Sequence, residues 1–260
     1  MINMADDKLK ETDLPRTKEN ILNIKWNAFD AIISLVFLAA VLVAIYFGSA
    51  KLFEVLKNEQ FFNSSNISNV SFTVLYGIQV ILMLGVVWFF AIFRRKASLR
   101  DLGLRYYSIA KTIWYSFLSL LAIFFVSFLY VFLMNSIFGM EAPSSKIEVL
   151  VENRSISSNI LMVVVAVIAP ISEEIYFRGF LYSAFKKSWG VNAALFLSSF
   201  LFAIVHLELY SFIPLIIIGW ILAYMFEKTK SLMPAIFLHG VYNLILILIL
   251  LGRLEIIKLY

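Results

Sequence analysis

Residues 159–187 read NILMVVVAVIAPISEEIYFRGFLYSAFKK, an apolar stretch that nevertheless carries Glu173, Glu174 and Arg178. A helix crosses about 30 Å of hydrocarbon in roughly 20 residues, so this stretch is long enough to span a membrane with turns to spare. A charged side chain at mid-bilayer costs roughly 2.5–3.5 kcal/mol even on lenient insertion scales. Three such groups in one span mark a functional element.

The rest of the chain agrees with a membrane reading. Of its 260 residues 62% are apolar and only 15% charged, against roughly 45–50% and about 25% in soluble domains. Mean hydropathy is +0.88. There is no Cys, which removes disulfide scaffolds, thiolate metal sites and thiol nucleophiles. Disorder and coiled coil do not fit so apolar a chain. The expected fold is all-α: a polytopic integral membrane helix bundle of about seven transmembrane helices. They lie over 28–50, 70–93, 112–138, 159–187, 191–208, 212–227 and 231–251, with an eighth if 140–155 or the last residues fold back. Residues 1–25 are polar and have no apolar core of a signal peptide. The expected organisation is a tail over 1–27, accessory helices over 28–158, a helical core over 159–251 and a tail over 252–260. No internal repeat is evident, so a transporter built from two related halves lacks its usual sign.

The net charge of +5 is read by its placement, not as a nucleic-acid signal. Loops on the side of the N-terminal tail hold fifteen Lys and Arg, those on the other side six. The positive-inside rule then puts the N-terminus in the cytoplasm, at the plasma membrane in a bacterium, with NSSNISNVS facing out. Asp30 falls near a membrane face and needs no special account.

Inside the apolar runs the polar residues form a pattern. Glu174 and Arg178 are i,i+4 neighbours in the favourable order, whereas Glu173 points about 100° away. Pro170 loosens the helix just upstream. Only two histidines exist. His206 follows Phe202 by one turn, and His239 precedes Asn243 by one turn. A turn at Trp189-Gly190 makes the fourth and fifth helices an antiparallel hairpin, with Glu173 and His206 each about 21–23 Å from it. His239 falls at the same depth, about 12 Å into the seventh helix. Such a set suits water activation, because a poorly hydrated carboxylate is a stronger base. His206 is placed to hold or shuttle the proton, and His239 and Asn243 to donate to an oxyanion. Glu173, His206 and His239 also make a conventional zinc shell. The residues alone leave a metal-held and a protein-held water both open.

The strings EEIYFR (Glu173, Glu174, Arg178), FAIVH (Phe202, His206) and HGVYN (His239, Asn243) resemble the EExxxR, FxxxH and HxxxN signatures of the CPBP intramembrane proteases. This family includes the type II CAAX prenyl endopeptidases and bacteriocin-processing or immunity proteins. The resemblance covers roughly residues 159–245, and RDLGLR (Arg100–Arg105) is similar to a segment often found before the family core. It implies an endopeptidase acting near the cytoplasmic face on a peptide or protein, lipidated in some members. Membrane lipids surround it, and nucleic acid is not a partner. Glu173 would be the base with His206 its partner, His239 and Asn243 the oxyanion residues, and Glu174, Arg178 and Phe202 supporting. Two other functions compete: a non-catalytic immunity or scaffold protein, and a small proton-coupled transporter.

Overall fold

The computed structural model describes residues 22–57, 64–143 and 157–257, and over these the chain is helical. That is the form lipid imposes, since a helix satisfies its backbone groups internally. Helix α1 is Ala28–Lys57, and α2 is Ser64–Val87, continued by wide π turns over Trp88–Arg94. Helix α3 is Ile109–Phe138. Helices α4 and α5 occupy residues 158–189 and 191–205, α6 is Phe212–Thr229 and α7 is Leu232–Ile257. The polar stretch NSSNISNVS, expected as a loop, is helical from Ser64 onward.

Six apolar helices of spanning length are present among the described residues, the fourth being the 48-residue run Ser158–Val205. Unbroken, it would reach about 72 Å. It breaks at Gly190, where φ 84° and ψ 174° suit a residue without a Cβ. The rings of Phe177 and Phe202 meet edge to face at 5.4 Å, so α4 and α5 run antiparallel as the hairpin reading expected. Counted by arms, the described residues make seven.

One end of the bundle gathers four segments that lie far apart in sequence. Lys25 Nζ donates to Lys96 O, Lys187 Nζ donates to Ile24 O, and the Ala28 N–H donates to Ser188 Oγ. Arg105 Nε donates to Lys230 O at 2.6 Å, and Ser231 Oγ to Arg105 O. The segment before α1, the α2–α3 loop, the α4–α5 turn and the α6–α7 turn therefore share one face. Since α3 leaves this end and α4 returns to it, 139–157 must begin and finish at the opposite end. The eighth helix expected if 140–155 fold back falls on residues 144–156, which lie outside the described set. Within the clustered end, burial pulls the Lys230 ammonium down to about 8, against the pull of Glu227 towards the charged form.

Asp30 is a correction to the sequence reading. It is fully buried and holds both Arg94 (3.1 Å) and Arg95 (2.9 Å), tying α1 to the end of α2. Its ion-pair partners lie 64 and 65 residues away, so no local pattern announces them.

The core is centred on α4, with Tyr176, Phe177, Phe180, Leu181, Tyr182 and Phe185 all buried. By contrast α3 buries only Thr112, Ser116 and Ile123 and offers most of its surface to lipid. Two wide turns interrupt α4, at Val164–Ile168 and Ile175–Tyr182. The carbonyls around them find side-chain partners: Trp26 Nε1 donates to Phe180 O at 2.9 Å, and Ser183 Oγ to Arg178 O. RDLGLR braces both α7 and α4. Gly103 O accepts from Leu232 N, and a Cβ at Gly179 would meet Leu102 O at 2.9 Å.

Candidate active site

Glu173 and Glu174 occupy the short regular stretch Ala169–Glu174 between the two wide turns of α4. π turns often occur at functional sites, because the extra residue re-aims the side chains that follow. Glu174 is fully buried, and its Oε1 accepts from Arg178 Nη1 at 2.5 Å, the i,i+4 pair that the spacing implied. Arg178 is also fully buried. It donates through Nη2 to Gly219 O of α6 and lies 4.4 Å from the centre of the Phe202 ring. A buried charge needs such company, since an unpaired one costs several kcal/mol.

His239 of α7 places Nδ1 2.8 Å from the same Glu174 Oε1. Its other nitrogen, Nε2, lies 3.9 Å from Glu173 Oε2. That oxygen is buried and has no hydrogen-bond partner among the described residues. A polar gap of this width between two buried groups is the kind a water molecule bridges.

Phe202 packs against both imidazoles, 5.7 Å from His239 and 4.7 Å from His206. His206 caps the end of α5, and its Nδ1 lies 2.6 Å from Phe202 O. A shell of Glu173, His206 and His239 would need three donors converging on one point. Among the described residues no group of three His, Cys, Asp or Glu side chains is arranged to hold a metal ion. Each imidazole is held through its Nδ1, that of His239 by Glu174 and that of His206 by the carbonyl of Phe202.

Asn243 is also engaged elsewhere than the sequence suggested. Its Nδ2 donates to Val165 O, in the first wide turn of α4, at 2.9 Å. One turn earlier, a Cβ on Gly240 would fall 2.7 Å from Ala166 O, the carbonyl to which Pro170 has no N–H to offer. The HGVYN segment thus closes over the irregular turn that precedes Glu173.

Two features escaped the sequence reading. Tyr76, half-buried on α2, lies close enough to Glu173 to feel its charge, and α2 packs along Ala169–Glu174. A tyrosine with a polar tip in an otherwise apolar span is the signal that could have found it. Alongside the site runs an apolar groove of about 400 Å³ between α4 and α7. Its walls include Val163, Ala166 and Ile171 on one side and Phe237, Gly240 and Leu244 on the other.

The three motifs therefore meet around Glu174, Arg178, Phe202 and His239, and known proteins share this part of the chain. Residues 155–245 match the family described as "Type II CAAX prenyl endopeptidase Rce1-like". This segment resembles that family. The resemblance read from the three motifs thus holds over about a third of the chain. An 87-residue stretch is 34% identical to "UPF0177 protein YbdI" of Lactococcus lactis subsp. lactis strain IL1403, covering 33% of this chain and 46% of that protein. Another, of 84 residues, is 30% identical to "Putative membrane peptidase YdiL" of Bacillus subtilis strain 168, covering 32% of this chain and 34% of that one. The chain thus aligns with less than half the length of either relative. No solved structure matches it.

Proposed function

We propose that this membrane protein is an intramembrane endopeptidase that hydrolyses a peptide bond with a water activated by Glu173. The observation that carries the reading is the buried, unpartnered Glu173 Oε2, 3.9 Å from His239 Nε2. A carboxylate oxygen kept from bulk water and left without a protein donor is poised to take a proton. The Rce1-like match over the same residues and a relative described as a membrane peptidase point the same way.

In this reading residues 159–251 form the catalytic core, and 28–158 the accessory helices that frame it. His206 lies at the depth of Glu173 and acts with it, while Glu174, Arg178 and Phe202 hold His239. Asn243 keeps the turn before Glu173 in shape and, once a substrate displaces its bond to Val165 O, donates to the oxyanion. The substrate is a peptide or protein. A lipidated one would lay its apolar chain in the groove between α4 and α7, whose walls reach Ile171 and Gly240 beside the two key residues. The clustered loop end, rich in Lys and Arg, faces the cytoplasm, and cleavage takes place on that side of the bilayer.

Replacing Glu173 with Gln keeps the shape and removes the base. Expected is loss of cleavage, read by comparing the membrane peptides of cells that carry either form, with the protein present at unchanged levels. Cleavage that survives the change would overturn the assignment. A phenotype that persists without cleavage would favour the scaffold reading, for which Asn243 and Arg178 already serve helix packing.

A further inference from the structure

The hydrogen-bond partners of His239 fix which of its nitrogens carries the proton. Glu174 Oε1 is in a buried ion pair with Arg178 at 2.5 Å, so this carboxylate only accepts. The hydrogen in its 2.8 Å contact with His239 therefore sits on Nδ1. A neutral imidazole has one N–H, so Nε2 is left with a lone pair. Across 3.9 Å it faces Glu173 Oε2, itself an acceptor with no partner among the described residues. Two acceptors, one on each side of a narrow gap, define what fits between them: a molecule with two hydrogens to give.

We propose that Glu174 is a positioning residue that locks His239 in its Nδ1–H form, so that a single water is held by donating one hydrogen to His239 Nε2 and the other to Glu173 Oε2. Both lone pairs of that water then point away from the protein, towards a carbonyl carbon. The opposite tautomer would donate to the water and tie up the electrons that attack. The inference rests on the hydrolase reading of the same site and moves His239 within it from oxyanion donor to acceptor. In the step, the water oxygen bonds to the carbonyl carbon, the C=O π pair moves onto oxygen, and one water proton passes to Glu173. Glu173 returns that proton to the amide nitrogen as the C–N bond breaks. The second hydrogen stays on the new carboxyl group, hydrogen-bonded to Nε2, and passes to it when the acid ionises.

The chain has only two histidines, so ¹⁵N-histidine-labelled full-length protein in bicelles gives four ring-nitrogen signals, and a His206→Asn variant assigns them. Nitrogen shifts separate N–H from lone-pair nitrogens. Expected for His239 at neutral pH is a protonated Nδ1 and a bare Nε2. Glu174→Gln, whose carbonyl still accepts, keeps that pattern. The double change Glu174→Leu with Arg178→Met removes the acceptor without stranding a buried guanidinium, and the tautomers then mix. With a quenched-fluorescent farnesylated CaaX peptide as probe, kcat of the double variant falls by about tenfold or more while KM holds. An Nε2–H in the wild-type spectrum overturns the inference, whether or not the double variant folds. So does a double variant with unaltered tautomer and kcat. The expected tautomer in a wild-type protein that cleaves nothing would instead sink the hydrolase reading, and Glu173-dependent cleavage with Nε2 protonated would spare that reading and sink this one.

Discussion

Arg178 carries more of the site than its supporting place in the EExxxR motif suggests. Its guanidinium neutralises Glu174, reaches across to α6 at Gly219 O and sits over the ring of Phe202. Arg178→Met, close in volume, strands a fully buried carboxylate. Expected is a loss of about 3–5 kcal/mol, read by thermal or denaturant unfolding in detergent, together with loss of cleavage. Glu174→Leu added to it should recover much of the stability but not the activity, since the burial cost goes with the charge while His239 remains unheld. This residue scale was the most legible in the sequence. The i,i+4 spacing of Glu174 and Arg178 makes the pair readable, because helical periodicity alone puts them on one face. Asp30 was not legible, since a buried acid is explained only by its partners, and these lie on another helix.

At the scale of elements, α4 and α7 fit because one is irregular where the other is small. The wide turn Val164–Ile168 and the missing donor of Pro170 leave carbonyls that Gly240 and Asn243 cover. Gly240→Ala puts a methyl 2.7 Å from Ala166 O, a backbone atom that cannot swing aside. The expected cost is about 1–3 kcal/mol, with a fall in cleavage as α7 and His239 shift away from Glu173. Gly85→Ala in α2 is the control: nothing lies within 4 Å of the added methyl, and stability should hold or rise by about 0.5–1 kcal/mol, read by the same unfolding experiment. The hairpin was legible in the turn at Trp189-Gly190 between the apolar runs 159–187 and 191–208. The engaged state of Asn243 did not. A HxxxN pattern gives the face of a helix, whereas the carbonyl that meets it exists only because a distant helix widens by one residue. Tyr76 was missed for a related reason: contact between α2 and α4 is a matter of packing and leaves no mark on the spacing of either.

For the whole molecule, the clustering of four segments at one end fixes the parity of every crossing. The chain contains no Cys, so single cysteines can be introduced without a background. Tyr106→Cys and Trp189→Cys, both exposed at the clustered end, should react with a membrane-impermeant maleimide from the same side. Met140→Cys and Leu209→Cys should react from the other. Tyr106 and Trp189 labelled from opposite sides would contradict the arrangement; which side is cytoplasmic comes from the same experiment in sealed, oriented vesicles. Composition and the long fourth run made the membrane bundle plain. What they left undetermined was how the short runs sit, because hydropathy measures length and not level.

That level has a consequence of its own. The fifteen residues of α5 reach about 22 Å, less than the hydrocarbon thickness, and the corner at 206–211 is pinned by Tyr130 OH to Tyr210 O, eight residues before α3 ends. Its backbone therefore turns while α3 still has about 12 Å to run. Lipids bordering that corner must shorten or tilt to follow it, so the bilayer is thinned beside the residue that ends α5, His206.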